Sequence, residues 1–280
     1  MLNSAEYRDL APAQIWAREL DEGRYHCSIS TMYRILREAN QVGERRRQAT
    51  HPARKKPELL AQGPNEIWTW DVTRLRTREK GVWLHLYVIL DIFSRKALAW
   101  RLAHSENGPT ATDLINDAIA RNGGARPHTI HADRGSAMTG QDVSDLMVKL
   151  AVTRSHSRPK TSNDNPYSEA QFRTLKYDPY FPEKFDSWDH AHDFAESFFD
   201  YYNHIHRHSG IGLHTPASVH HGTAEIVQTQ REATLAAAYR ANPARFARKP
   251  VPPPLPTTAW INKPADPETP HPAAQTAGLR

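Results

Sequence analysis

The sequence predicts an α/β fold: a mixed five-stranded sheet flanked by helices, preceded by a small helical module. Three observations lead there. From position 67 onward the apolar residues fall into short strand-type runs, and helical periods then alternate with the later runs. Three carboxylates, Asp71, Asp133 and Glu169, stand in distinctive settings among those runs. With 280 residues and 39% hydrophobic content, the chain can bury one sizeable core and a smaller module.

The elements follow in order. A helix is expected over 12–22, with Pro12 at its start, Ile15, Trp16 and Leu20 apolar, and Gly23 as a stop. A second helix, capped by Ser28 or Ser30, carries Met32, Ile35 and Leu36 as an apolar stripe and turns Thr31, Arg34 and Arg37 outward. Two short helices with a polar second member describe a helix-turn-helix, and a plain helical hairpin fits the pattern equally well. Arg45, Arg46 and Arg47, then Arg54, Lys55 and Lys56, form a basic linker suited to following phosphates.

Strands are expected over 67–74, 82–90 and 97–102, joined by short links as an antiparallel meander. A helix over 110–121 with Leu114, Ile115, Ala118 and Ile119 on one face comes next, then Gly123-Gly124 and a short strand over 128–132 that ends at Asp133. A helix over 141–150, a strand over 151–154 and a helix opened by Asn165-Pro166 complete the set. Asp164 or Asn165 is expected to cap that last helix, which carries Glu169. If the first and fourth strands are neighbours, Asp71 and Asp133 converge and Glu169 reaches in from the covering helix.

A bare charge in a strand facing an apolar interior loses hydration, and a cation would supply the missing partner. Magnesium prefers hard oxygen ligands and keeps places for water and phosphate, so a few carboxylates suit it. Other polar residues have plainer readings. Asp91 begins a turn with Ser94 and Arg95, which points to capping or pairing. His204, His206 and His208 alternate at the end of a long helix, where DNA contact or helix-end packing is favoured over zinc.

The charge balance, 36 Lys+Arg against 31 Asp+Glu with a pI near 9.3, favours a polyanionic partner. The single Cys27 excludes an internal disulfide framework. There is no run of about 18 apolar residues and the first residues lack the regions of a signal peptide, so the expected location is the cytoplasm.

These motifs resemble a known family. The core is similar to a ribonuclease H-like DDE recombinase of the retroviral-integrase superfamily, and most closely resembles the second-frame (OrfB) transposase of the IS-three insertion-sequence family. Glu169 follows Asp133 with 35 residues between them, the family's usual spacing, and Lys176 comes seven places after Glu169, where the family has a basic residue. Seven residues are two helical turns, so Glu169 and Lys176 share a face, while Arg173 at i+4 could be an ordinary ion-pair partner of Glu169. The run 155–170 and the later Tyr202-Asn203-His204-Ile205-His206-Arg207-His208-Ser209-Gly210 also resemble the family; Ala137 stands where many members have Pro.

The resemblance implies a transposase that cleaves DNA and transfers strands, with Asp71, Asp133 and Glu169 as catalytic residues holding two Mg²⁺ ions, Mn²⁺ being able to substitute. It implies DNA contacts from Arg158, Lys160, Arg173 and Lys176, and the residue pattern adds Thr31, Arg34, Arg45, Arg46 and Arg47. Its partners would be transposon ends and target DNA, a second copy of the chain, and an upstream-frame product fused or associated; its place would be the bacterial nucleoid. The rival readings are a DNA-binding regulator or incomplete transposase product, and a nuclease of the same fold that cuts without joining. The expected organisation is a helical DNA-binding module at 1–43, a basic linker at 44–62, a catalytic core at 63–222, and a C-terminal helix with a Pro-rich tail at 223–280. The tail is read as extended or disordered, with Trp260 able to dock on the core or on a second protomer.

Overall fold

The structure is a computed structural model, and it describes residues 1–4, 6–39, 41, 56–158, 161 and 164–264. The chain divides into two compact units, Met1–Arg54 and Lys55–Arg280.

In the first unit, Pro at the N-terminus opens α1, Pro12–Asp21, and Ser28 caps α2, Ile29–Glu38, by accepting from the Thr31 backbone N–H at 3.3 Å. Ile15, Met32, Leu36 and Tyr7 are buried. Ile35, expected in the apolar stripe, is 45% exposed. The reason is geometric: Met32 and Leu36 at i and i+4 already fill the inward face, and Ile35 lies about 100° from Leu36. A signal the residue pattern concealed is Glu19, buried and held by the Tyr7 hydroxyl at 2.5 Å, Arg24 at 2.8 and 2.9 Å, and His26 at 2.8 Å. Those donors hold its carboxyl far below the usual range, Arg24 most of all.

The second unit is built on β2, Ile67–Arg76, whose side chains alternate between two faces. Trp68 and Trp70 point to one side and are fully buried, while Thr69, Asp71 and Thr73 point to the other. β2 pairs antiparallel with β3, Trp83–Asp91, which pairs antiparallel with β4, Ala97–Ala103. On its other edge β2 pairs in parallel with β5, Thr129–Ala132, and β5 with β6, Thr153–His156. The sheet order is therefore β4-β3-β2-β5-β6. The crossover that parallel pairing requires is α3, Gly108–Arg121, capped by Asn107.

On the tryptophan side, Trp68, Trp70 and Ile89 pack against Leu114, Ile115 and Ala118 of α3, with the short α4, Ser136–Thr139, and α5, Gln141–Leu150, extending the layer. On the other side, Leu75, Leu86 and Val88 meet α6, Pro166–Lys176, and α7, Trp188–His204, through Phe172, Leu175, Phe198 and Phe199. Replacing either buried tryptophan by Ala would cost about 3–5 kcal/mol.

A third, smaller core lies under a two-stranded ribbon that the sequence did not disclose. β1, Leu59–Ala61, pairs antiparallel with β7, Ala259–Ile261. Ala61, Ala259 and Ile261 cover Ile92, Phe93, Ile211 and Val219, the last from α8, Pro216–His220. Part of the supposed tail is thus a built strand. Before it runs α9, Ala224–Ala241, in which only Ala224 is buried.

Candidate active site

Asp71 lies in the middle of β2. β5 stops at Ala132, which pairs with Trp70, so Asp71 and Asp133 are the next residues on two parallel neighbours. Asp71 therefore stands where the parallel pairing ends, while β2 continues to Arg76 as an antiparallel ribbon with β3. The acid is partly sheltered there, and its Oδ1 accepts from the Val72 N–H at 2.8 Å.

Glu169 is brought in by α6, and α6 is latched to β2 two residues from Asp71. The Thr69 hydroxyl donates to Asn165 Oδ1 at 2.5 Å and lies 3.3 Å from the Ser168 hydroxyl. The Asn165 amide also donates to the Trp70 carbonyl at 3.4 Å. These bonds replace the expected cap: Asn165 occupies the cap position but spends its side chain on β2. Asp164 is not the cap either. Fully buried, it accepts from the Arg158 backbone N–H at 2.9 Å, Arg158 Nε at 2.9 Å and Nη2 at 3.0 Å, which holds its carboxyl far below the ordinary range.

The electrostatics mark the three acids as one patch. Burial first, then the charges of Asp133, Glu169 and Glu106, push the Asp71 carboxyl up to about 7. Burial and the charge of Asp133 also raise Glu169. The three carboxylates share this patch without all closing to within 4.8 Å, a spacing reached by the exposed His192, Asp193 and Glu196 of α7. That second group sits on an ordinary solvated helix face.

Asp133 has a support that sequence reasoning missed. Its Oδ1 accepts from the Ser157 hydroxyl at 2.5 Å, Ser157 lies 3.3 Å from His131 Nε2, and His131 Nδ1 lies 3.0 Å from the Ser155 hydroxyl. Burial lowers the His131 imidazole to about 4, so it is neutral at pH 7. The signal was present at period two: His131 on β5 with Asp133 just beyond its end, and Ser155 on β6 with Ser157 just beyond its end.

The remaining predicted residues are spread over the molecule. Arg173 and Lys176 are exposed on the face of α6 that carries Glu169. Arg173 lies 5.7 Å over the Tyr177 ring, and no ion pair joins it to Glu169 among the described residues. The Arg158 guanidinium is committed to Asp164. In the first unit, Arg34 is exposed, whereas the Thr31 hydroxyl is 3.0 Å from that of Ser28. Arg45, Arg46, Arg47 and Lys160 lie outside the described residues.

The plainer readings can be placed too. Asp91 is buried and accepts from the Ser94 N–H and hydroxyl at 2.7 and 2.8 Å and from the Asn65 N–H at 2.6 Å, so it organises its turn. His206 stacks on Tyr202 at 5.6 Å and His208 accepts from the Gly210 N–H at 3.0 Å, both packing the helix end.

A sheet of this order, with one acid from each of two parallel neighbours and a third from the covering helix, defines a ribonuclease H-like integrase core. Two family models, each described as integrase core domain, match residues 61–162 and 150–216. Over residues 61–216, more than half of its length, the chain belongs to the integrase core domain family. It is 30% identical over 163 residues to the transposase InsF for insertion sequence IS3A of Escherichia coli K12, covering 57% of this chain and 55% of that protein. It is 29% identical over 147 residues to an uncharacterized transposase-like protein of Haemophilus influenzae, covering 52% of this chain and 67% of that one. The matches thus span about half to two thirds of these relatives. Among solved structures, the catalytic core domain of HTLV-2 integrase in complex with magnesium is similar at 19% identity, with 56% of this chain and 97% of that chain covered and a TM-score of 0.44. The simian T-cell lymphotropic virus intasome is similar at 21% identity, 75% and 74% coverage, and a TM-score of 0.49.

Proposed function

We propose that this chain is a DDE transposase, cleaving DNA and joining a freed 3′-OH to a second phosphodiester, with Asp71, Asp133 and Glu169 as its catalytic residues. The observation that carries the reading is the parallel register of Trp70 with Ala132, which sets Asp71 and Asp133 side by side opposite the helix of Glu169.

The donor set fits a hard divalent cation. All three groups offer carboxylate oxygen, and their mutual repulsion at Asp71 is what a cation would relieve. Mg²⁺ is the favoured ion, two of them on the family pattern, with Mn²⁺ able to substitute. Bound there, the metal supplies Lewis acidity that eases deprotonation of an attacking oxygen and offsets charge on the phosphate being split. The chain's own residues do the positioning. Ser157 fixes one oxygen of Asp133 and leaves the other free. Thr69 and Asn165 hold α6 against β2, which keeps Glu169 within electrostatic reach of the two aspartates. Lys176 and Arg173 face outward along the same helix, where they would contact the phosphates flanking the cleaved bond. Arg158 acts through Asp164 as a corner post.

The reading takes transposon ends and target DNA as partners, a second copy of the chain to bring two ends together, and an upstream-frame product as fusion or associate. It places the chain with DNA at the nucleoid; no described helix is long and apolar enough to cross a membrane. End-sequence DNA incubated with Mg²⁺ or Mn²⁺ tests it. The expected result is cleaved and joined product, reduced by at least about 10²–10³-fold in Asp133→Ala. Cleavage without joining would instead identify a nuclease, and binding alone a regulator.

A further inference from the structure

The strand β7 lies some ninety residues beyond Glu169 in sequence, yet its exit contacts the supports of two catalytic acids. Asn262, turning the chain out of β7 at φ +56°, donates its amide to Asp164 Oδ1 at 2.8 Å and to the Pro57 carbonyl at 3.0 Å. The Tyr167 hydroxyl donates to the Trp260 carbonyl at 2.8 Å, and the Tyr167 ring packs against the small core that Ala259 and Ile261 close. Asp164 immediately precedes the Asn165 cap of α6, and Tyr167 lies in its first turn, two residues before Glu169.

The count of donors at Asp164 makes the contact consequential. An ionised carboxylate has about four lone-pair sites, and a fully buried one needs them filled. Arg158 supplies three donors to Asp164 and Asn262 the fourth. Arg158 follows Ser157, the donor to Asp133. Asn262 thus completes a buried node tied through the backbone to Ser157 on one side and α6 on the other.

We propose that Asn262 and the backbone of Trp260 are positioning groups of the active site: the C-terminal strand sets α6 and the 157–158 corner so that Glu169 and Asp133 bear on one metal-binding patch. This rests on the catalytic reading of the triad. The strand is a working part of the site, not only a cover for the third core.

Two variants of the full chain separate the effects. Asn262→Gly keeps the left-handed backbone free of strain and removes only the donor; Asn262→Asp keeps the shape and sets a second carboxylate against Asp164. Mn²⁺ binding by the chain without DNA is expected to weaken about 10-fold in Asn262→Gly and further in Asn262→Asp. Amide hydrogen exchange across 165–176 is expected to quicken in both, with exchange in β2 and β3 unchanged. A contact that only adds stability would lower the melting temperature and leave the Mn²⁺ affinity of the folded chain where it was. Metal affinity within twofold of the parent, together with unchanged exchange in α6, overturns the proposal. Should the Asn262 variants fail to fold, Tyr167→Phe removes the bond to Trp260, and unchanged exchange in the first turn of α6 is then the overturning result. If the parent shows no Mn²⁺ binding that depends on Asp71 or Asp133, the catalytic reading fails, and the exchange arm still decides whether β7 positions α6.

Discussion

Asp71 shows how a residue's setting becomes chemistry. Burial and neighbouring negative charge raise its carboxyl to about 7, above its value in an unfolded chain, so the folded state favours the protonated acid. Its contribution to stability is therefore full below about pH 4 and is lost as pH rises through 7. Divalent cation binding must displace that proton, so affinity should rise with pH up to about 7 and level off above it. Titration calorimetry with Mn²⁺ between pH 5.5 and 8.5 would show this, and a pH-independent affinity would contradict it. Asp71→Asn should raise the melting temperature measured in EDTA at pH 8 and abolish Mn²⁺ binding measured without the chelator. Ser157→Ala makes a second prediction. It removes the donor to Asp133 Oδ1 and should weaken Mn²⁺ binding about 10-fold, with Ser157→Thr restoring it. The meeting of Asp71 and Asp133 was legible in the sequence because each stands in or just beyond a strand-type run, and two such runs can be neighbours. Ser157 and His131 were not, because small polar residues on neighbouring strands become a network only once the register is known.

Elements were legible where local pattern dictates them and obscure where distant chain does. The meander and α3 follow from period two and period 3.6, and they lie within two or three residues of the expected limits. β1 and β7 are three residues each, about two hundred residues apart, and neither has a pattern of its own. The cap of α6 was misread for a related reason: Asn165 suits a cap by type, and a tertiary contact to Thr69 took its side chain. The C-terminal strand also depends on one glycine. Gly212 has φ +66°, and a Cβ there would sit 2.4 Å from the Pro254 carbonyl oxygen, a backbone atom that cannot move without shifting the segment leading to β7. Gly222 has φ +73° with nothing within 4 Å. Gly222→Ala should therefore cost only the left-handed term of about 1–2 kcal/mol, and Gly212→Ala distinctly more. Urea midpoints of the two variants give the comparison, and equal losses would remove the strand's dependence on this contact.

At the scale of the whole molecule, the two compact units invite a division of labour that salt and sequence can separate. Arg34 is exposed on α2 of the first unit, and Lys176 is exposed on the face of α6 that carries Glu169. A helix-turn-helix reads base edges with its second helix, while a cation beside a metal site meets phosphate whatever the sequence. Arg34→Ala should then narrow the difference in affinity between end-sequence and unrelated DNA, by about 5–100-fold if the contact is to a base. Lys176→Ala should weaken both DNAs alike and reduce the slope of log affinity against log salt by about 1. Neither should change Mn²⁺ affinity measured without DNA, because neither side chain supports an acid. Binding isotherms at several salt concentrations on both DNAs decide it. If Arg34→Ala leaves the preference for end sequence intact while lowering the salt slope, the first unit grips backbone only, and recognition of the ends must be sought in another part of the complex.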